Sequence, residues 1–423
     1  MDSMNTYEVK DIKLAPSGAQ KIAWVRDHMP LLRAIEDQMS TLPAGERPLA
    51  GVRLSLSIHM EAKTAYFCQV LTAAGAQVHA TGCNVLSTQD DVAAALAASG
   101  VTVFAVHGAS DADYLRHLVM CLEHKPNIVI DDGGDLINIL HTSRPELAEE
   151  VWGGCEETTT GIHRLKALQA EGLLRFAMVA VNDARMKHLF DNRYGTGQST
   201  WDSIMRNTNL IVASKTVVVA GYGWCGRGIA LRAAALGAQV IVTEFDAIKA
   251  IEARMDGYAI MPMTEAAKLG DIFITATGCK DIITTEHMQL MKDNVLLCNA
   301  GHFNLEVDVA GLAALAVSRH EARKNIEAFV LPNGKRINII AEGKLVNIAA
   351  ADGHPAEIMD LSFAVQYHSV LYLLENRGSL EPRVIDVSKE IDDRISKEVL
   401  KAWGAEIDVL SPEQAEYLSS WKV

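Results

Sequence analysis

The run Thr216-Val-Val-Val-Ala-Gly221-Tyr-Gly223-Trp224-Cys225-Gly226-Arg227-Gly228-Ile-Ala decides the fold of this chain. Apolar, mostly β-branched residues lead straight into a glycine loop. The loop opens residues 229–236, rich in helix formers and closed by Gly237; a second apolar run, 238–243, ends on Glu244. Strand, G-x-G-x-x-G, helix, strand and acid stand in the order of a dinucleotide-binding βαβ unit. Each part has a physical task. Gly221 permits the tight turn, Gly223 lets backbone approach a pyrophosphate, and Gly226 allows the helix to pack close to the strand. The helix N-terminus offers unpaired N–H groups and the positive end of its dipole to phosphates. Glu244 is placed to accept hydrogen bonds from ribose hydroxyls and to repel a 2′-phosphate, which favours NAD over NADP.

Working outward, the same alternation recurs on the N-terminal side. Residues 49–58 alternate as a strand, a helix starts at His59-Met60-Glu61 and runs to Ala74, and 75–81 is a second strand. Residues 100–106, 127–130 and 176–181 continue the series. Residues 18–39 have helical spacing, with Ile22, Trp24, Val25, Met29, Leu32 and Ile35 as the apolar set. Ser87 and Asp90 stand at capping-box spacing before the next helix. Beyond the glycine loop, 271–277 and 294–299 read as strands, Asn333-Gly334 marks a hairpin turn, and 356–375 and 388–403 are helical. Strands alternating with helices predict parallel sheets that carry function at their carboxyl ends. The expected class is therefore α/β: two doubly wound parallel-sheet domains and a short C-terminal helical segment. The expected division is a substrate-binding domain over 1–194, a Rossmann NAD-binding domain over 195–350, a return segment to the first domain over 351–400, and a tail over 401–423.

Composition narrows the function classes. At 423 residues, 49% hydrophobic and 22% charged, the chain is long enough for two or three globular domains. A formal net charge of −14 argues against nucleic acid or an anionic membrane as partner. No apolar run reaches membrane-spanning length, and Met1-Asp-Ser-Met-Asn-Thr-Tyr-Glu lacks the basic-then-apolar pattern of a signal peptide. Seven cysteines contain no C-x-x-C pair, which predicts reduced thiols in a cytoplasmic protein, with neither a disulfide framework nor a metal site.

A set of short motifs then stands in order along the chain: His59-Met, Cys83-Asn84, Ser87-Thr-Gln-Asp90, Asp131-Asp-Gly-Gly-Asp-Leu136, Glu156-Glu-Thr-Thr-Thr-Gly161, Asn182-Asp183, Phe190-Asp-Asn192, Val219-Ala-Gly-Tyr-Gly223, Gly301-His-Phe303, Ala341-Glu-Gly-Lys-Leu-Val-Asn347 and Gly353-His-Pro355. This set closely resembles the S-adenosyl-L-homocysteine hydrolase family over about residues 7 to 418. The resemblance implies a tightly bound NAD used as a recycled oxidant. The substrate's 3′-hydroxyl is oxidised, the acidified 4′-hydrogen is lost, homocysteine leaves C5′, water adds, and the ketone is reduced back. It also implies a homotetramer acting on a small nucleoside thioether.

Residue roles follow from the same resemblance. Lys187 and Asp191 serve the 3′-oxygen, Asp132 is the base at C4′, and His59 and His302 handle the leaving thiol and attacking water. Asn192 and Glu157 hold the ribose, and His354 lies beside the substrate. A lysine can be a base there where desolvation or a nearby cation lowers its pKa. Thr158, Thr159, Thr160, Asn192, Glu244, Thr277, Asn299, Ala300, Gly301, His302 and Asn347 match family NAD contacts, beside the glycine loop with Trp224, Cys225, Arg227 and Gly228.

Three features depart from the family pattern. Lys249 stands where an asparagine is usual near the NAD adenosine. The segment 413–423 stops where a further tail with a lysine and a tyrosine usually reaches a neighbouring subunit, and Lys422 is too close to the shared core to replace it. Glu61-Ala-Lys63-Thr64 follows His59-Met60 where the family usually reads threonine, a small residue, glutamate, threonine. The usual glutamate accepts from the 6-amino group of adenine; Lys63 has donors only and either suits the 6-oxo group of hypoxanthine or pairs with Glu61 or solvent while backbone groups still read adenine. The substrate is thus read as S-adenosyl-L-homocysteine or its deaminated analogue, S-inosyl-L-homocysteine. Two other classes share the two-domain plan: a dehydrogenase that releases NADH, and a non-catalytic NAD-binding regulator.

Overall fold

The strands divide into two eight-stranded sheets in the computed structural model, which describes residues 7–421. The sequence readings at Met1–Thr6 and Lys422 lie outside the described residues. In the first sheet, β1 (Glu8–Val9), β2 (Arg53–Ser57), β3 (Gln77–Thr81), β4 (Thr102–Ala105), β5 (Ile128–Asp131), β6 (Gly153–Glu156) and β7 (Ala177–Ala180) lie in the order β1-β4-β3-β2-β5-β6-β7, with Val384–Asp386 added beside β7. Every pairing in it is parallel. The second sheet contains β8 (Thr216–Ala220), β9 (Gln239–Thr243), β10 (Ala259–Ile260), β11 (Ile272–Thr275), β12 (Val295–Asn299), β13 (Ser318–Arg323), β14 (Ile326–Val330) and β15 (Arg336–Ile340). Its order is β10-β9-β8-β11-β12-β15-β14-β13. The β13–β14 and β14–β15 pairs are antiparallel, the second closed by the turn at Asn333-Gly334.

Central strands such as Leu54, Leu56 and Val217–Val219 are buried, because helices cover both faces of each sheet. Strand order reverses between β2 and β5 in the first sheet and between β8 and β11 in the second. Crevices open outside the carboxyl ends of the strands at such switch points. The glycine loop follows β8, and His59 and Asp132 follow β2 and β5.

Several local expectations are corrected. The helical stretch 18–39 is two helices, Ala15–Asp27 and Pro30–Ser40, because Pro30 starts a new first turn and cannot continue the old one. Trp24 is two-thirds exposed at 67% and packs its ring on His28 instead of joining the core. No capping box forms at Asp90–Ala98, whose N-cap is Gln89 without a side-chain bond. Ser87 Oγ is engaged elsewhere, by Asn84 O at 2.9 Å and His59 Nδ1 at 2.7 Å, and Asp90 accepts from His107 N. Strand β6 had no readable signal, since two of its four residues are glycine. A Cβ at Gly153 would meet Leu373 Cδ2 at 2.7 Å, so the glycine lets the long helix Ala356–Glu375 lie against the strand.

That helix runs from the second sheet back beneath the first. Asp360 on it accepts from Leu31 N at 2.8 Å and Leu32 N at 2.9 Å, capping the helix Pro30–Ser40 across more than 300 residues of chain. Burial pushes the Asp360 carboxyl up to about 7. Among the described residues no helix is long and apolar enough to cross a membrane.

Candidate active site

The carboxyl ends of β2, β3 and β5 bring His59, Cys83 and Asp132 together, and the segment after β12 adds His302. Asp132 Oδ2 lies 3.7 Å from His59 Nε2 and accepts from Cys83 Sγ at 3.2 Å. Its other oxygen, Oδ1, lies 3.7 Å from His302 Nδ1. Ser87 Oγ donates to Asn84 O, so it accepts from His59 Nδ1–H, which leaves the lone pair of Nε2 facing Asp132. Burial pushes the His59 pKa down, so the ring is a neutral base. Burial and the nearby Asp132 push the Cys83 thiol well up. The adjacent Asp131 is spent on structure: it accepts from Ile137 N and Asp132 N, and burial raises its pKa to about 7.

A second cluster forms around Lys187, which lies on the one-turn helix Arg185–His188 and is buried. Its ammonium donates to Asn182 Oδ1 at 3.1 Å and Asn192 Oδ1 at 3.0 Å. Glu157 Oε1 at 3.3 Å and Asp191 Oδ1 at 3.4 Å complete its shell. Asp191 and Asn192 open a π-helical turn, Asp191–Gly195, that runs into the helix Thr196–Thr208. Burial alone would lower the Lys187 pKa, but Asp191 and Glu157 outweigh it and hold the ammonium charged. Burial alone therefore does not free a basic lysine, and of the two expected causes a nearby cation is the one left to lower its pKa. Burial raises Glu157 to about 7, despite Lys187. Burial would also raise Asp191, yet Lys187 and His354 hold it well below the usual carboxylate range. His354 Nδ1 lies 3.2 Å from Asp191 Oδ1, while its Nε2 faces Thr196 Oγ1 and Asn347 Nδ2, each at 3.2 Å.

Glu61 is the N-cap of the helix Ala62–Ala73 and accepts from Lys63 N and Thr64 N. The buried Lys63 ammonium pairs with Glu61 Oε2 at 2.7 Å and donates to Asp352 O at 2.9 Å. Two of its three donors are used, and one remains.

The residues after β8 fit a dinucleotide. The helix Trp224–Ala235 begins at Gly223 with no side-chain cap, so its first N–H groups are free for phosphate. A Cβ at Gly226 would meet Gly221 O at 1.9 Å, so only glycine holds this turn. Glu244 Oε2 accepts from Tyr222 N at 2.7 Å and Oε1 from Phe245 N at 2.8 Å, which fixes the acid beside the loop. Lys249 turns back to Asp246, 3.8 Å away. Thr158 caps the helix Thr159–Ala170, Thr159 Oγ1 accepts from Asn182, and Thr160 lies near Gly278. Asn299 pins the His302 loop by donating to Gly301 O and Phe303 O. Arg227 is tied to Glu252 and stacks over Trp224 and Tyr222. Cys225 faces Thr196 Oγ1 at 3.6 Å.

Among the described residues, Asp132 Oδ1, Asn347 Oδ1 and Gln366 Oε1 are buried acceptors in this crevice without a hydrogen-bond partner. Buried acceptors left unmade are costly, so such a set implies a ligand rich in hydroxyl and amide donors. Sequence reasoning missed Gln366, which donates to Glu157 Oε2 at 2.6 Å, and Ser362, which donates to Asp191 Oδ2 at 2.7 Å. Both sit on the long helix, where nothing but the apolar spacing around them marks a polar face. Glu306 was missed too; it accepts from Thr277 N, Thr277 Oγ1 and Gly278 N and braces the loop after β11.

Two parallel-sheet domains, a dinucleotide cradle and a buried acid–base cluster define an NAD-binding α/β enzyme. Profiles described as "S-adenosyl-L-homocysteine hydrolase" and "S-adenosyl-L-homocysteine hydrolase, NAD binding domain" match residues 6–149 and 192–353. An adenosylhomocysteinase of Thermococcus kodakarensis is 53% identical over 422 residues, covering 100% of this chain and 99% of the relative. An adenosylhomocysteinase of Thermotoga maritima is 54% identical over 406 residues, 96% of this chain and 100% of the relative. An S-inosyl-L-homocysteine hydrolase of Methanocaldococcus jannaschii is 53% identical over 416 residues, 98% of this chain and 99% of the relative. The chain belongs to the S-adenosyl-L-homocysteine hydrolase family.

Proposed function

We propose that this protein catalyses the reversible hydrolysis of a nucleosyl-L-homocysteine thioether to nucleoside and L-homocysteine, with S-inosyl-L-homocysteine preferred to the adenosyl compound. The observation that carries the reaction is Asp132, with one free carboxylate oxygen, standing between histidines from the two sheets. The preference rests on Lys63, because relatives of both names are about equally similar. Residues 1–194 and 351–400 serve as the substrate-binding unit, residues 195–350 as the NAD-binding unit, and 401–423 as a tail.

NAD is held by the glycine loop, Glu244, Thr158–Thr160, Thr277 and Asn347; when bound it supplies a recycled hydride acceptor and a positive charge opposing the carboxylates around Lys187. Glu157, Asn192 and Lys187 hold the ribose hydroxyls, with Asp191 setting the charge of the lysine. His354 locks Asp191 from the far side. Lys187 exchanges a proton with the 3′-oxygen. Asp132 takes the proton from C4′, acidified once C3′ is a ketone. Neutral His59 accepts a proton from the water that adds at C5′, and His302 protonates the departing sulfur. Asp132 returns its proton to C4′ as water adds, the departing thiolate takes up one proton and the water gives one up, so the net reaction is hydrolysis.

Incubation of the purified holoprotein with each thioether tests this reading. Homocysteine release without free NADH supports it; stoichiometric NADH release identifies a dehydrogenase instead. We also read the protein as a cytoplasmic homotetramer. Exposed Phe245, Ile248 and Met255 near the cradle and exposed Ile407, Val409 and Leu418 in the tail support the assembly. Light scattering checks the mass.

A further inference from the structure

The geometry points to a cation site in this crevice: His59, Cys83 and Asp132 bind a zinc-class divalent ion when no nucleoside is present, and the ion inhibits the enzyme. One ligand atom from each residue lies within 4.8 Å of the others. A tetrahedral zinc with bonds of about 2.0–2.3 Å needs ligand atoms about 3.3–3.8 Å apart. Cys83 Sγ stands 3.2 Å, and His59 Nε2 3.7 Å, from Asp132 Oδ2, while Sγ lies 3.4 Å from His59 Nδ1, so the imidazole must turn to bring Nε2 and the thiol onto one ion. Asp132 is 4% exposed and its Oδ1 has no hydrogen-bond partner, so the carboxylate is open to a ligand.

The surroundings orient the donors as a metal site requires. Ser87 Oγ accepts from His59 Nδ1–H, which points the Nε2 lone pair inward. Tyr114 Oη donates to Cys83 O at 3.0 Å and fixes the loop carrying the thiol. A thiolate, an imidazole and a carboxylate form a donor set for zinc and its softer neighbours, not for magnesium or calcium. His302 Nδ1 stands 3.7 Å from the other Asp132 oxygen, Oδ1, on the crevice side of the three donors. On binding, the metal–sulfur bond replaces the thiol S–H bond, and one proton passes to solvent. No electron moves. Inhibition follows because the ion occupies the residues assigned to C4′ and C5′; that half rests on the proposed function, and the binding half does not.

Cobalt(II) titrated into the NAD holoprotein tests both halves. We expect one ion per chain with a thiolate-to-cobalt charge-transfer band, displaced by zinc and by adenosine. The band disappears in Cys83→Ser, persists in Cys279→Ser, whose thiol is exposed, and needs at least tenfold more cobalt in Asp132→Asn. Zinc raises the apparent KM for thioether at least tenfold without changing kcat. Absence of the band, or its survival in a Cys83→Ser protein with normal NAD content, overturns the site. Cobalt binding as expected without competition by nucleoside keeps the site and overturns the placement of substrate over Asp132.

Discussion

Replacing Lys63 separates the two purines. Lys63 is 5% exposed, and its ammonium has Glu61 Oε2 at 2.7 Å, Asp352 O at 2.9 Å and one donor left. A 6-oxo purine accepts that donor; a 6-amino group cannot. Hydrogen bonds to charged groups contribute about 1.5–3 kcal/mol, which is roughly 10- to 150-fold in kcat/KM. The wild type should therefore favour S-inosyl- over S-adenosyl-L-homocysteine by at least about tenfold. Lys63→Met removes the donors and keeps the length of the side chain. It also strips Glu61 of its buried partner, a change that costs about 3–5 kcal/mol where a pair is well buried. Both substrates meet that damage equally, so the ratio of the two kcat/KM values cancels it. Freed of its lysine, Glu61 can accept from the 6-amino group, and the ratio should swing toward the adenosyl compound by one to two orders of magnitude. Thiol release from each thioether measures it. A ratio within twofold of wild type in both Lys63→Met and Lys63→Gln refutes the reasoning.

Four other outcomes follow from named contacts. Asp132→Asn should still show bound NAD becoming reduced on adding thioether, while 4′-hydrogen exchange with solvent and homocysteine release fall by about 10²–10⁴; both are read by NMR and thiol assay. Gly226→Ala places a Cβ 1.9 Å from Gly221 O, so NAD should be lost on gel filtration although the first sheet still folds. Glu244→Leu removes the acceptor of Tyr222 N and Phe245 N, and NAD affinity measured by calorimetry should weaken at least tenfold. Asp131, Glu157 and Asp360, each raised to about 7 mainly by burial, bind more protons folded than unfolded. Their stabilisation is complete below the unfolded carboxylate values and lost as pH rises through 7, so the melting temperature should fall from pH 6 to pH 8, and less steeply in Asp360→Asn.

The switch-point residues were legible because strand ends carry them in short polar runs: His59 after β2, Asp132 after β5 and the glycine loop after β8. Periodicity failed where packing, not propensity, decides. Strand β6 is half glycine because a helix must lie on it, and Ser87 abandons a helix cap to hold His59. Gln366 and Ser362 were invisible because a helix 20 residues long reads as core; only its docking beneath the first sheet aims them at Glu157 and Asp191. The charge of Lys187 was also beyond the sequence, since it depends on two carboxylates brought from 30 and 4 residues away.

Adjacent acids illustrate how the backbone divides labour here. Asp131 is the last residue of β5 and Asp132 the next, and successive side chains at a strand end point to opposite faces. One face is closed: Asp131 meets Ile137 N there and accepts a proton up to about pH 7. The other face is the crevice, where Asp132 meets His59, Cys83 and His302 and keeps an oxygen free. A base for carbon needs a lone pair that no protein donor occupies, together with a fixed position. Asp131 supplies the fixed position by anchoring the turn through its own hydrogen bonds. The pleat alone assigns the free lone pair to its neighbour, so exchanging the two functions would require shifting the register of β5 by one residue.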